Sequence, residues 1–177
     1  MKKLLLGFLA FLFFSSICFA GIGRVDNGSV FFSPDGNIRD KIISAINLSK
    51  TDIKIAIYSF TSGDIVWALD NARSRGVNVA IIADKSQSES KNSEIPYLIS
   101  KGFSVKILAG KGRGLMHNKF AIFDNKTVLT GSYNWTNNAE FNNYENAIFI
   151  DDQEIVNCYL IEFEKLWKTS QGQSATF

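Results

Sequence analysis

The feature that constrains the fold most is an alternation, over residues 29–108, of short apolar runs with segments whose apolar residues recur at helical spacing. Ser29 to Ser33 suits a strand and is punctuated by Pro34-Asp35-Gly36. From Asn37 to Lys50, Ile38, Ile42, Ile43 and Ile46 mark one face of an amphipathic helix, with Asp35 or Asn37 as its cap. Asp52 to Phe60 alternates Ile53, Ile55 and Ile57 with Lys54 and Ala56, which predicts a strand. A helix over Asp64 to Arg75 follows, with Thr61 or Ser62 to cap it and Gly76 to stop it. Val77 to Ala83 is almost wholly apolar, as a strand covered on both faces would be. Lys85 to Ser93 reads as a polar loop, Glu94 to Lys101 as a helix stopped by Gly102, and Phe103 to Leu108 as the next strand. This order predicts an α/β domain built on a mixed, mostly parallel central sheet with helices on both faces.

Beyond Leu108 the pattern changes. Ala109 to Gly114 is a glycine-rich, basic loop, and His117 to Asp124 with Thr127 to Thr130 predicts a hairpin across Asn125-Lys126. Asn143 to Ile150 supplies another strand. Asp151-Asp152 opens a last helix bearing Ile155, Tyr159, Phe163 and Trp167 at helical intervals. Residues 169–177 are polar and read as a frayed tail. Nothing in residues 21–168 repeats or marks a second domain.

Residues 1–20 have the organisation of an export signal. Met1, Lys2 and Lys3 form a positive start, Leu4 to Phe14 is almost wholly apolar, and Ser15 to Ala20 ends in Cys18-Phe19-Ala20, which predicts cleavage after Ala20. The apolar run is shorter than the roughly 20 residues a membrane span prefers. If it is retained, the segment would tether the domain to the outer side of the inner membrane; if it is cleaved, the domain is periplasmic or released. Ile17 is too bulky for Cys18 to read as a lipoprotein site. Cleavage removes Lys2 and Lys3 from 19 basic residues and leaves 17, equal to the 17 acidic ones, so the net charge of +2 belongs to the signal. The mature chain is formally neutral, and any affinity for anions must come from where its cations stand. Its one remaining cysteine, Cys158, cannot form an intrachain disulfide, and its one histidine cannot build a multi-histidine metal centre. No cofactor is expected.

That histidine opens the segment with the most chemistry. On a strand, His117 and Lys119 share a face while Phe120 and Ile122 point away into a core. Gly131-Ser132-Tyr133-Asn134 follows the hairpin, and Glu145 comes at the start of the next strand. Together these residues supply a nucleophile, a cation, neutral donors and a carboxylate able to orient an imidazole. Acidic Asp151, Asp152 and Glu154 read as a helix cap rather than a metal site.

The spacing His117-x-Lys119-x4-Asp124-x6-Gly131-Ser132, with Met116 before it and Asn134 and Glu145 after it, resembles the motif of the phospholipase D superfamily. In length, single motif and signal the chain is most similar to the small bacterial Nuc-type endonucleases of that family. The resemblance covers about Ser29 to Trp167 and implies a metal-independent phosphodiesterase that cleaves DNA, and also RNA, through a phosphohistidine. That chemistry uses two histidines and this chain has one, so a homodimer sharing one site is expected. The resemblance implies His117 as nucleophile, Lys119 and Asn134 on the phosphate oxygens, Ser132 as a further donor, and Glu145 bonded to the distal nitrogen of His117. Asp124 reads either as part of the chemistry or as a strand-end acid that sets a turn.

For the substrate, Lys111 and Arg113 could reach a polyanion, although a connector with solvated charges is the other reading. Lys106 and Lys126 belong to the same set of candidate phosphate contacts. Tyr133 is a candidate for stacking on bases, as is Trp135, for which the core is the stronger reading. The alternatives to a nuclease are a lipid phosphodiesterase of phospholipase D type and a catalytically silent nucleic-acid-binding module.

Overall fold

A computed structural model describes residues 23–25 and 28–170. The expected signal and cleavage site, and the tail beyond Ser170, lie outside the described residues. One eight-stranded sheet runs in the order β1-β2-β8-β7-β6-β3-β4-β5. The strands are β1 (Gly23–Val25), β2 (Gly28–Ser33), β3 (Asp52–Ile57), β4 (Asn78–Asp84), β5 (Ser104–Leu108), β6 (Lys119–Phe123), β7 (Thr127–Gly131) and β8 (Glu145–Ile150). The helices are α1 (Ile38–Leu48), α2 (Gly63–Ser74), α3 (Lys85–Ser88), α4 (Ile95–Ser100), α5 (Asn137–Phe141) and α6 (Gln153–Thr169).

The sheet is mixed, but it is not mostly parallel. Only β3 with β4 and β4 with β5 pair in parallel; the other five neighbouring pairs are antiparallel. The cause is an insertion. Strands β2 to β5, joined through helices, all point the same way, as right-handed crossovers require. The β6-β7-β8 segment then enters between β2 and β3, alternates direction, and turns their boundary into a run of antiparallel pairs. Short-range alternation reveals that a segment is a strand and which residues share a face, but not its direction or which strand slots in where.

Helices cover both faces, as expected. Ile38, Ile42 and Ile46 of α1 and Ile65 and Leu69 of α2 pack on Ile53, Ile55 and Ile81 of the sheet, all fully buried. On the other face Val156 and Phe163 of α6 meet Ala56, Ile82, Phe120 and Ile122. Each such large side chain contributes about 1.5–3 kcal/mol, and the alternation along β6 places Phe120 and Ile122 on one core and Ala121 and Phe123 on the other.

Three local expectations change. The polar stretch after β4 begins with the short helix α3, because Asp84 Oδ1 accepts the Gln87 N–H and caps it. Ser62 stands at the N-terminus of α2 without a side-chain cap bond, and its buried Oγ has no partner among the described residues. The residues between β7 and β8 fold into α5, capped by Thr136 Oγ1 accepting the Ala139 N–H at 3.1 Å.

Candidate active site

Strand register brings the motif together at one end of the sheet. Ile57 pairs with Lys119, Gly131 with Ala147, and Ser33 with Glu145. The start of β6, the end of β7 and the start of β8 therefore meet where β3, β4 and β5 finish. His117, Lys119, Gly131, Ser132, Asn134 and Glu145 line one open cleft of ≈ 410 Å³ there. Gly131 is required by close approach, since a Cβ would collide with the Asn146 carbonyl.

His117 is exposed and Lys119 half-buried beside it. Lys119 Nζ lies 3.3 Å from His117 Nδ1 and donates to the His117 carbonyl at 2.8 Å. Desolvation pushes the lysine's pKa below its ordinary value, and the carboxylates of Glu145 and Asp84 pull it back up in part. Asn134 Oδ1 accepts the Ser59 N–H at 3.3 Å, which turns its NH₂ toward the cleft. Ser132 Oγ donates to Glu145 Oε2 at 2.5 Å and accepts the Asn146 N–H at 3.1 Å. The cleft thus offers a ring nitrogen, an ammonium and an amide donor to a tetrahedral anion. Among the described residues no three His, Cys, Asp or Glu side chains gather as a metal ligand set.

Three expectations about single residues are corrected, and for Asp124 the strand-end reading is the one that holds. Glu145 does not bond His117 within the chain: its oxygens are taken by Ser132 Oγ and by Asn143 Nδ2, the latter at 2.8 Å. Asp124 is not in the cleft. It sits past the far end of β6, roughly 16 Å of strand away, where its carboxylate accepts the N–H groups of Lys50, Thr51 and Asp52. Tyr133 does not stand open for a base; it is buried and its hydroxyl donates to Glu140 Oε2 at 2.7 Å. Lys106 is engaged with α6, donating to the Trp167 carbonyl at 2.9 Å over that indole ring. Trp135 is core, edge-on to Phe60 at 5.1 Å.

Lys111 and Arg113 are exposed on a loop held shut by Gly110 N–H to Gly114 O and Gly114 N–H to Lys111 O. The loop runs from β5 to β6 over the cleft end of β4 and β3. Sequence reasoning overlooked Tyr58, whose ring centre is 4.4 Å from that of His117 and 4.8 Å from Lys119 Nζ. It also overlooked Asn143, Glu140 and Asp84. No local pattern marks them, because tertiary contacts set their partners: β3 beside β6 for Tyr58, the Met116 N–H for Asp84, and Tyr133 and Glu145 for Glu140 and Asn143.

A family model for the phospholipase D-like domain of cardiolipin synthase matches residues 42–167. This chain belongs to the phospholipase D superfamily. It is 35% identical to Nuc of Salmonella typhimurium, a phospholipase D family member, with a TM-score of 0.73 over 80% of this chain and 93% of that one. NucT of Helicobacter pylori is 36% identical, also at TM-score 0.73, over 80% of this chain and 95% of that one. Among curated relatives, a mitochondrial cardiolipin hydrolase of Canis lupus familiaris is 33% identical over 137 residues, 77% of this chain. A phospholipase D of Rickettsia conorii is 37% identical over 132 residues, 75% of this chain. The matched region spans 53% of the first of these relatives and 65% of the second.

Proposed function

We propose that this superfamily member is an exported phosphodiesterase that cleaves DNA, and RNA with it, as a non-specific endonuclease working without a metal ion. The observation that carries the reading is the cleft itself, where one imidazole stands beside an ammonium and a fixed amide donor. His117 Nε2 attacks phosphorus, a P–N bond forms and the P–O bond to the leaving alcohol breaks. The departing oxygen takes a proton from the imidazolium of a second copy. That imidazole then removes a proton from water, whose oxygen attacks phosphorus and releases His117. Attack needs a lone pair on Nε2 and hence the proton on Nδ1, so Lys119 must leave Nδ1 for the phosphate oxygens.

Two observations support a second copy. The chain has a single histidine, and two large aromatic side chains at the cleft end of the sheet are open to solvent: Phe32 of β2 is 52% exposed and Tyr144, just before β8, is 94% exposed. For nucleic acid as substrate, the support is the cationic loop of Lys111 and Arg113 and the near full-length likeness to Nuc and NucT. A lipid diester is the second reading, favoured by the lipid substrates in the names of the curated relatives and by exposed Leu115 and Tyr144, which are close in sequence to the cleft residues His117 and Glu145.

Purified protein in EDTA is offered plasmid, single-stranded DNA, RNA, and vesicles of phosphatidylcholine or cardiolipin. Nucleolysis in EDTA that disappears in His117→Asn is the expected result; turnover of vesicles alone would replace the nuclease by the lipid reading. Full activity in His117→Asn would refute the mechanism. Fully active monomer in sedimentation would refute the shared site.

A further inference from the structure

A buried acid that the mechanism leaves unused lies directly beneath the catalytic pair. Asp84, the last residue of β4, is 1% exposed. Its Oδ2 accepts the Met116 N–H at 2.9 Å; its Oδ1 accepts Ser86 Oγ–H at 2.6 Å and the Gln87 N–H at 3.1 Å. It forms no ion pair with a described residue. Burying a carboxylate without a countercharge is costly, and capping the four-residue α3 needs only a neutral acceptor such as Ser or Asn. The arrangement asks for a reason to keep a charge there.

That reason is adjacent. Met116 is itself buried, its side chain in the core under α6, so its N–H bond to Asp84 fixes the backbone one residue before His117. Lys119 follows two residues later, half-buried, facing His117 in its own segment, Tyr58 from the end of β3, and Glu145 from β8. Glu145 is already shared by Ser132 and Asn143.

We infer that Asp84 is a positioning residue for the phosphate-binding pair: its hydrogen bond to Met116 sets where His117 and Lys119 enter the cleft, and it sets a buried acid behind the lysine. The inference rests on the phosphodiesterase reading of the cleft and adds to it a residue outside the motif. A carboxylate suits both tasks. It accepts from all three donors, whereas an amide must turn its NH₂ toward one of two buried N–H groups. Its charge also opposes the desolvation that weakens Lys119 as a cation.

The test follows Lys119 itself. In protein carrying ¹³C at lysine Cε, the Lys119 resonance is assigned by its loss in Lys119→Arg and titrated by NMR. In Asp84→Asn its midpoint is expected to move to lower pH, and the alkaline limb of kcat against pH on a small diester, bis(4-nitrophenyl) phosphate, to move with it. In Ser86→Ala, which removes a hydrogen bond from the same carboxylate but no charge, the midpoint is expected to stay. Asp84→Glu keeps the charge and displaces the contact, so the midpoint is expected to hold while kcat falls about tenfold or more, as misplacement of a reacting group does. It also serves if Asp84→Asn does not fold. An unmoved midpoint in folded Asp84→Asn would overturn the electrostatic role, and wild-type kcat in Asp84→Glu the positioning role. A wild type that hydrolyses no diester would instead overturn the phosphodiesterase reading, and the NMR titration would still decide the charge effect.

Discussion

Substituting Asp124 in turn with Asn, Gly and Ala should lower stability in steps while leaving the chemistry in place. Its Oδ1 accepts Thr51 N–H at 2.8 Å, Thr51 Oγ1–H at 3.0 Å and Asp52 N–H at 3.2 Å, and its Oδ2 accepts Lys50 N–H at 2.9 Å. The residue also holds a left-handed backbone, φ 52°. Asn keeps one acceptor and tolerates that conformation, at a cost of about 1 kcal/mol for an N–H now facing an amide NH₂. Gly suits the backbone but removes every acceptor; water reaches this half-exposed site and limits the loss to about 2 kcal/mol. Ala adds about 1 kcal/mol of backbone strain to that. Urea titration gives these values directly, and thermal midpoints should fall by about 3, 6 and 9 °C. A folded Asn variant that loses a hundredfold in kcat would refute the assignment, as would equal stability in Gly and Ala.

The same acid carries a pH signature. Burial pushes its carboxyl up, and the hydrogen bonds from Thr51, Lys50 and Asp52 outweigh that, leaving the pKa below its ordinary 3.8. A depressed carboxylate contributes stability that is complete above the unfolded pKa and is lost as pH falls through the folded one. The stability gap between wild type and Asp124→Gly should therefore stay constant at neutral pH and narrow below about pH 4.

Tyr133→Phe removes one of the two hydrogen bonds that buried Glu140 Oε2 accepts, leaving that from the Arg39 N–H, so about 1–2 kcal/mol of stability should go, and kcat should fall several-fold because Ser132 and Asn134 flank it; an unchanged urea midpoint would refute the bond. Replacing both Lys111 and Arg113 by Ala should flatten the plot of log DNA affinity against log salt by about 1.4–1.8. An unchanged slope would take the loop off the substrate path. Trp135→Ala, a fully buried ring against Phe60, should cost about 3–5 kcal/mol by chemical denaturation.

The α/β alternation, both helical cores and the pairing of His117 with Lys119 were legible because they follow from periods of 2 and 3.6, which short stretches of chain encode. Ser132, Asn134 and Glu145 were legible through spacing, and the structure places them on the same cleft. For Asp124 the sequence offered two readings, and the structure takes the strand-end acid; spacing could not choose, since a motif records that an acid recurs at a fixed distance and not which end of a strand it serves. Tyr133 illustrates the same limit: flanked by Ser132 and Asn134, it turns to the opposite side and finds Glu140 in a helix that short-range pattern left unmarked.

By itself the sequence determined the long helices and the main strands, the neutral charge of the chain after residue 20 and a single histidine, because each is a property of composition or of local order. Tertiary structure decided the rest. Insertion of β6-β7-β8 between β2 and β3 made the sheet mainly antiparallel and aligned the ends of those three strands into a cleft. The same pairing put Tyr58 against His117, Asp84 beneath Met116, and Asp124 at the far edge. Such neighbours are separated by tens of residues, and only strand register, set by which apolar faces can be buried together, brings them into contact.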